Sequence, residues 1–200
     1  DAHSLAWLLL DGFGISDIYA QRMSATFSFL LDMNVLFESF VSRWLIQILQ
    51  GSEFEAILQK RDHTIVLDAA NNRAYSCVRP DIVIQKSSAR GVYLPIDAKY
   101  KLFDEHKIGM EDIYQSFLYA FVYGEERSTL PTAILLYPRS KEETSKELRI
   151  NVHRSSGSPA AQLLCIPLDV EAALDEAKEG HRGPTGKRIL ELVADAFVQT

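Results

Sequence analysis

The chain has 200 residues, 47% of them hydrophobic and 24% charged, with a net charge of −6 at pH 7. That length and content fit one globular domain with a substantial core and exclude wholesale disorder, and no apolar run approaches the ~20 residues that cross a bilayer. The negative balance excludes a self-sufficient tight DNA binder, because affinity for phosphates comes from counterion release by Lys and Arg.

In chain order, the first residue is Asp1 rather than Met, which raises the expectation of a piece cut from something longer. Residues 1–26 are taken as a lead-in and 27–200 as the domain. Leu5–Leu10 forms a helical patch, followed by a turn at Gly12-Phe13-Gly14; Trp7–Leu10 lacks the basic flank and cleavage site of a signal peptide. The apolar run Ser24–Leu31 leads into Asp32, which suits the N-cap of a helix from about Met33 to Gln50. Phe40, Val41, Trp44, Leu45, Ile48 and Leu49 line one broad face of that helix, and Glu38 projects into the same face. A buried carboxylate there needs a hydrogen-bond partner, a cation or a metal. An edge position, with the carboxylate reaching water or Arg43, is the alternative.

Ile65-Val66-Leu67 and Ala74–Val78 flank Asn71-Asn72, a turn pair that tolerates positive φ, so a hairpin is expected. A strand opened by Asp81 follows, then a polar turn over Gln85–Arg90 ending at Gly91, then a strand through Asp97. Lys101–Ile108 reads as a charged loop. A helix runs from Met110 to about Tyr123 with Ile113, Phe117, Ala120 and Phe121 as its packing stripe, and Gln115 and Tyr119 lie four apart on one side. Thr132–Tyr137 is a nearly continuous apolar strand, suited to a central position parallel to its predecessor. Strands at Leu148–Val152 and Leu163–Leu168, a helix over Val170–Lys178 and a last helix around Lys187–Phe197 complete the chain. These elements predict an α/β fold, a mixed central sheet with helices on both sides.

The chemistry concentrates at Asp81 and, after fifteen intervening residues, Asp97-Ala98-Lys99. Alternation along a strand sends Asp97 and Lys99 to one side, with Leu94, Ile96, Ala98 and Tyr100 covering the other. Two carboxylates can hold a hard Mg²⁺ ion while leaving positions for water and phosphate. An ammonium beside them can position the water or offset charge in the transition state. Residues 79–110 also carry a local charge of +2, leaving −8 for the rest.

Pro80-Asp81 with Asp97-Ala98-Lys99 resembles the PD-(D/E)XK nuclease signature, and Gln115-Ser116-Phe117-Leu118-Tyr119 resembles the QxxxY helix of its RecB-like branch. More narrowly, Phe29–Val41, Arg79-Pro80-Asp81-Ile82, Asp97–Lys101, Asp112-Ile113-Tyr114-Gln115 and Leu135-Leu136-Tyr137-Pro138, in that order, are similar to the McrC nuclease family. The resemblance covers roughly residues 27–138. It implies a restriction-endonuclease-like core and a cytoplasmic Mg²⁺-dependent DNA endonuclease, with Mn²⁺ able to substitute, in a modification-dependent restriction system. An McrB-like AAA+ GTPase would be the partner that selects modified-cytosine DNA. Cutting both strands would need dimerisation or sequential nicks. Asp81, Asp97, Glu38 and the main-chain carbonyl of Ala98 would be metal ligands, Lys99 the catalytic lysine, and Gln115 and Tyr119 would orient Lys99, the nucleophile or DNA. Core packing with a satisfied amide is the other reading of that last pair. A RecB-like repair or defence nuclease with a different motor and a catalytically silent interaction subunit remain as alternatives.

Other motifs fail. Gly180–Arg188 is mis-spaced for a phosphate loop and has Arg188 where a Mg²⁺-binding hydroxyl belongs. His3, His63, His106, His153 and His181 are scattered without zinc spacing, and Cys77 and Cys165 match no metal motif, so solvated or hydrogen-bonded histidines and reduced thiols are expected. His153-Arg154, with Lys146 and Arg149, is a solvated strand face or a weak DNA contact.

Overall fold

The computed structural model describes residues 32–101, 107–124, 130–139 and 147–198. The expected features at Leu5–Leu10, Gly12-Phe13-Gly14 and Ser24–Leu31 lie outside the described residues, as do residues 102–106 of the charged loop, His3, His106 and Lys146.

Helix α1 spans Met33–Leu49, and the Asp32 carboxylate caps it by accepting from the amides of Asn34 and Val35. Its apolar stripe buries Phe37, Val41, Trp44, Leu45, Ile48 and Leu49. Each such side chain contributes about 1.5–3 kcal/mol by leaving water. Glu38 is half-buried at the rim of this face and not within it, because Phe37, one residue earlier, takes the inward direction.

A strand that the periodicity did not reveal follows, β1 at Phe54–Leu58; only Phe54 is buried in it, so it lacks a clean alternation. Strands β2 (Asp62–Asp68) and β3 (Arg73–Val78) form the expected hairpin, with Asn72 at φ 53° in its turn. They make a two-stranded ribbon apart from the main sheet. β4 (Ile82–Lys86) and β5 (Ala89–Ala98) are antiparallel. The turn between them is tighter than expected, because a register shift after Gln85 and Gly91 at φ 89° let the strands continue into the polar segment.

Helix α2 (Met110–Gly124) crosses from β5 to β6 (Thr132–Pro138), which pair in parallel. Two expectations for side-chain direction are corrected here. Phe121 is 42% exposed; Phe117 and Ala120 are buried as expected, and Tyr119 and Tyr123 join them on the buried side of α2. Tyr100 is 41% exposed, since β5 ends at Ala98 and the chain turns before Tyr100 can cover the sheet, although its ring stays 5.9 Å from Phe37.

Strands β7 (Leu148–His153) and β8 (Pro159–Leu168), helix α3 (Val170–Glu179) and helix α4 (Pro184–Val198) close the chain. The main sheet has six strands in the order β1-β4-β5-β6-β8-β7. Ile82, Ile84, Leu94, Ile96, Ile134 and Leu136 face α1, α3 and α4, while Ala133, Leu135, Leu163 and Cys165 face α2. This is the predicted mixed sheet with helices on both sides. No helix among the described residues is long and apolar enough to cross a membrane.

Candidate active site

Pairing register builds the site. β4 and β5 set Ile82 opposite Ile96 and Val83 opposite Pro95. The ladder ends at the Ile82–Ile96 pair, so Asp81, just before Ile82, and Asp97, just after Ile96, come together at the same end of the two strands, close enough for the charge of Asp97 to act on Asp81. Ile82 and Ile96 point into the core on the α1 side, so by alternation the two carboxylates project on the α2 side. Like charges this near one another repel. Nothing in the packing of the sheet requires them there.

Asp97 is only 2% exposed, and the Lys99 ammonium stands 3.0 Å from its Oδ2. That contact lacks hydrogen-bond alignment, so this buried oxygen has charge compensation without a directed donor. Asp81 Oδ2 accepts from the Ala98 amide at 2.9 Å. Burial, reinforced by the charge of Asp97 and more weakly by that of Glu38, pushes the Asp81 carboxyl up to about 7, against the opposing pull of the Ala98 amide. For Lys99, burial disfavours the ammonium; Asp97, then Asp81 and Asp112, outweigh it and raise its pKa, so the lysine is firmly cationic.

The other expected residues come to the same place with altered partners. Glu38 accepts from Gln59 Nε2 at 3.0 Å and has no tie to Arg43. Gln59, with φ 44°, also donates its main-chain amide to the Asp81 carbonyl at 2.8 Å. On α2, Gln115 Nε2 donates to the Tyr119 hydroxyl at 3.0 Å, and that hydroxyl donates to the Arg79 carbonyl at 3.2 Å. Burial, then the charges of Asp97 and Asp81, raise the Tyr119 phenol above its ordinary range, so it remains a neutral donor beside the carboxylates. Ala98 contributes its amide to Asp81, and its methyl group packs into the core.

Sequence reasoning passed over Gln59 and the pair Lys101–Asp112. Asp112 is buried in the first turn of α2, with Lys101 Nζ 2.7 Å and 3.0 Å from its two oxygens. The Asp112 charge reaches Lys99 as well. A signal existed, since Lys101 continues the alternation of Asp97 and Lys99, yet its partner lies across a loop. Among the described residues the histidines play no part in the site: His63 is exposed, His153 Nδ1 lies 2.9 Å from the Gly157 carbonyl, and His181 pairs with Glu179.

A hard divalent cation fits the donor set at Asp81 and Asp97. The buried Asp97 oxygen without a directed donor and the mutual repulsion of the pair are both relieved by positive charge placed between them. Among the described residues no three His, Cys, Asp or Glu side chains group closely enough to hold an ion together. The fit is therefore to a two-carboxylate ion that completes its shell with water and substrate oxygens, the habit of Mg²⁺. Glu38, held off by Gln59, stands outside that pair.

Comparison with known proteins places this geometry in context. The family model described as McrBC 5-methylcytosine restriction system component matches residues 1–138. No curated protein matches the chain. Among solved structures, a chain of the "refined half-complex from tetradecameric assembly of Thermococcus gammatolerans McrB AAA+ hexamers with bound McrC" is similar at 17% identity, with a TM-score of 0.55. The match covers 83% of this chain and 34% of that one, so this chain spans about a third of its length. At that identity the likeness shows the fold alone.

Proposed function

Since the chain belongs to the McrBC 5-methylcytosine restriction system component family, we propose that it is the DNA-cleaving part of such a system, a Mg²⁺-dependent endodeoxyribonuclease driven by an McrB-like AAA+ GTPase. The observation that carries this reading is the gathering of Asp81 and Asp97 at one end of the β4–β5 pair, near enough to interact electrostatically, with Lys99 3.0 Å from Asp97. A scaffold has no use for a buried carboxylate set beside a second one that its charge disfavours.

Asp81 and Asp97 would hold the ion. When bound, it would supply Lewis-acid polarisation of a phosphoryl oxygen and lower the pKa of water. Lys99, kept cationic by its acidic surroundings, offers a fixed positive charge where negative charge develops on the phosphate. Asp97 fixes the position of that ammonium, and Asp112 adds to the field that keeps it charged. The Ala98 amide holds the Asp81 carboxylate in place, so the pair is aligned before substrate arrives. Tyr119, bridging Gln115 and the Arg79 carbonyl, ties α2 to the chain that enters Asp81. The solved complex similar in fold contains McrB AAA+ hexamers, and a motor of that kind would supply DNA and its choice of modified cytosine. The net charge of −6 fits a nuclease that depends on such delivery.

Plasmid nicking with Mg²⁺, with and without the cognate NTPase, tests the proposal. Cleavage by the natural protein that is lost on chelation and in Asp97→Asn supports it. Undiminished cleavage by Asp97→Asn refutes the site. Absence of cleavage by the natural protein with metal and partner present refutes the activity.

A further inference from the structure

The β2–β3 ribbon is unused by the chemistry above, and its construction is asymmetric. Val78 and, behind it, Ile65 and Val66 pack on Tyr119, Tyr123 and Tyr93, so one face of the ribbon is anchored on α2. Alternation along β3 sends Arg73 and Tyr75 away from the side of Val78, and both are exposed, as is every β3 residue before Val78. Tyr75 is 79% exposed, far beyond what a packing aromatic shows. Residues 59–79 carry Lys60, Arg61, Arg73 and Arg79 against Asp62 and Asp68, a local charge of +2 in a chain of −6. Both acids are consumed locally: Asp62 accepts from Thr64, and Asp68 closes the turn by accepting from Ala70 and Asn71. Lys60 lies over the ring of Tyr93 at 3.8 Å. Among the described residues, no hydrogen bond or ion pair engages the guanidinium groups of Arg61, Arg73 and Arg79. The ribbon therefore presents cationic side chains and an exposed aromatic ring, while its two acids are engaged by hydrogen bonds to their own neighbours in the chain.

Both ends of the ribbon are fastened to the carboxylates. Gln59, just before it, donates to the Asp81 carbonyl and to Glu38. Arg79, just after it, gives its carbonyl to Tyr119 and lies two residues from Asp81. Tyr75 is six residues from Asp81. At ~3.3 Å per extended residue Tyr75 lies at most roughly 20 Å from the site along the chain, or about six base pairs of duplex.

We propose that the outer face of this ribbon, Arg73 and Tyr75 with Arg61 and Arg79 at its base, docks duplex DNA beside the scissile phosphate. A two-stranded ribbon fits the major groove of B-form DNA, and free guanidinium groups suit its phosphates. The assignment rests on the nuclease reading and adds to it the surface that sets where the duplex lies. Anisotropy of a short fluorescein-labelled duplex, titrated with the full-length protein in Ca²⁺ to hold back cleavage, tests it. The Arg73→Ala/Tyr75→Ala protein is expected to bind on the order of tenfold more weakly. Arg73→Ala alone should reduce the slope of log affinity against log salt by about 1. Melting temperature and Mn²⁺ binding should not change, since neither side chain is buried. Equal affinity and equal slope for natural and variant proteins would overturn the docking face and leave the nuclease reading standing. If the natural protein binds no duplex and nicks no plasmid, both fall together.

Discussion

Two buried carboxylate sites in this molecule end in opposite states. Glu176 on α3 is 6% exposed, and its oxygens accept from the amides of Thr185 and Gly186 at 2.8 Å and 2.9 Å. It caps the first turn of α4, where free N–H groups and the helix dipole favour an anion. Asp97 is buried and Asp81 half-buried beside it; burial and the Asp97 charge push the Asp81 carboxyl up, and a buried Asp97 oxygen is left without a directed donor. A carboxylate with a directed donor on each oxygen is a structural device. One held against its own electrostatics suits a cation, as the proposed nuclease site requires.

Breaking each site in turn exposes the difference. The largest effect is expected from Asp97→Asn, which should lower cleavage by more than about a hundredfold, the upper end for residues that merely support a metal ligand. The metal-free protein should be as stable as the natural one or more so, because a like-charge pair is removed; denaturation in EDTA alongside the nicking assay checks both halves. Glu176→Ala should do the reverse. Leaving two helix N-terminal amides without an acceptor costs about 3 kcal/mol, read as a lowered denaturation midpoint, with cleavage retained at a permissive temperature.

Next in size is Gly183→Ala, whose new Cβ would sit 2.5 Å from Glu176 Oε1 and 2.6 Å from its Cδ. Overpacking of this kind costs about 1–3 kcal/mol, and the loss should shrink when Glu176 is also shortened to Asp. Equal losses in both backgrounds would show that the glycine serves some other end.

A pH series sharpens the comparison further. In the folded metal-free protein the Asp81 carboxyl lies near 7, against 3.8 for an ordinary aspartate. The folded state thus keeps a proton that the unfolded chain releases. That contribution to stability is fully present below the unfolded value and is lost as pH rises through about 7. Urea midpoints in EDTA should fall across this window in the natural protein and stay flatter in Asp81→Asn. Smallest is Gln115→Ala, which removes one bond to Tyr119 and should cost about 0.5–1.5 kcal/mol, with a modest loss of cleavage if Tyr119 loosens.

Much of this was legible from residues in a row. A capping Asp32, apolar spacing along α1, the continuous run of β6 and the Asn71-Asn72 turn each express a local rule, and local rules act between neighbours in the chain. The same logic brought Asp97 and Lys99 to one side of β5 and put Gln115 beside Tyr119. Where the pattern was weak, as in β1 with only Phe54 buried, the strand was invisible, because its place depends on pairing with β4. Phe121 and Tyr100 were misjudged for a related reason: hydrophobicity marks what can be buried, and packing selects what is.

By itself the sequence determined the order and type of most elements, the sheet's buried centre and the chemical identity of the acidic pair and its lysine. Only the tertiary structure decided that Asp81 and Asp97 meet at one end of the β4–β5 pair, since register is a property of two strands. It alone tied Gln59 to both Glu38 and Asp81, and paired Lys101 with Asp112. It also turned the stretch Gly180–Arg188 from a failed phosphate loop into the seat of Glu176. Periodicity reports which way a side chain points along its own element. What that side chain meets is set by chain segments far away in sequence, and the electrostatics of this site come from such meetings.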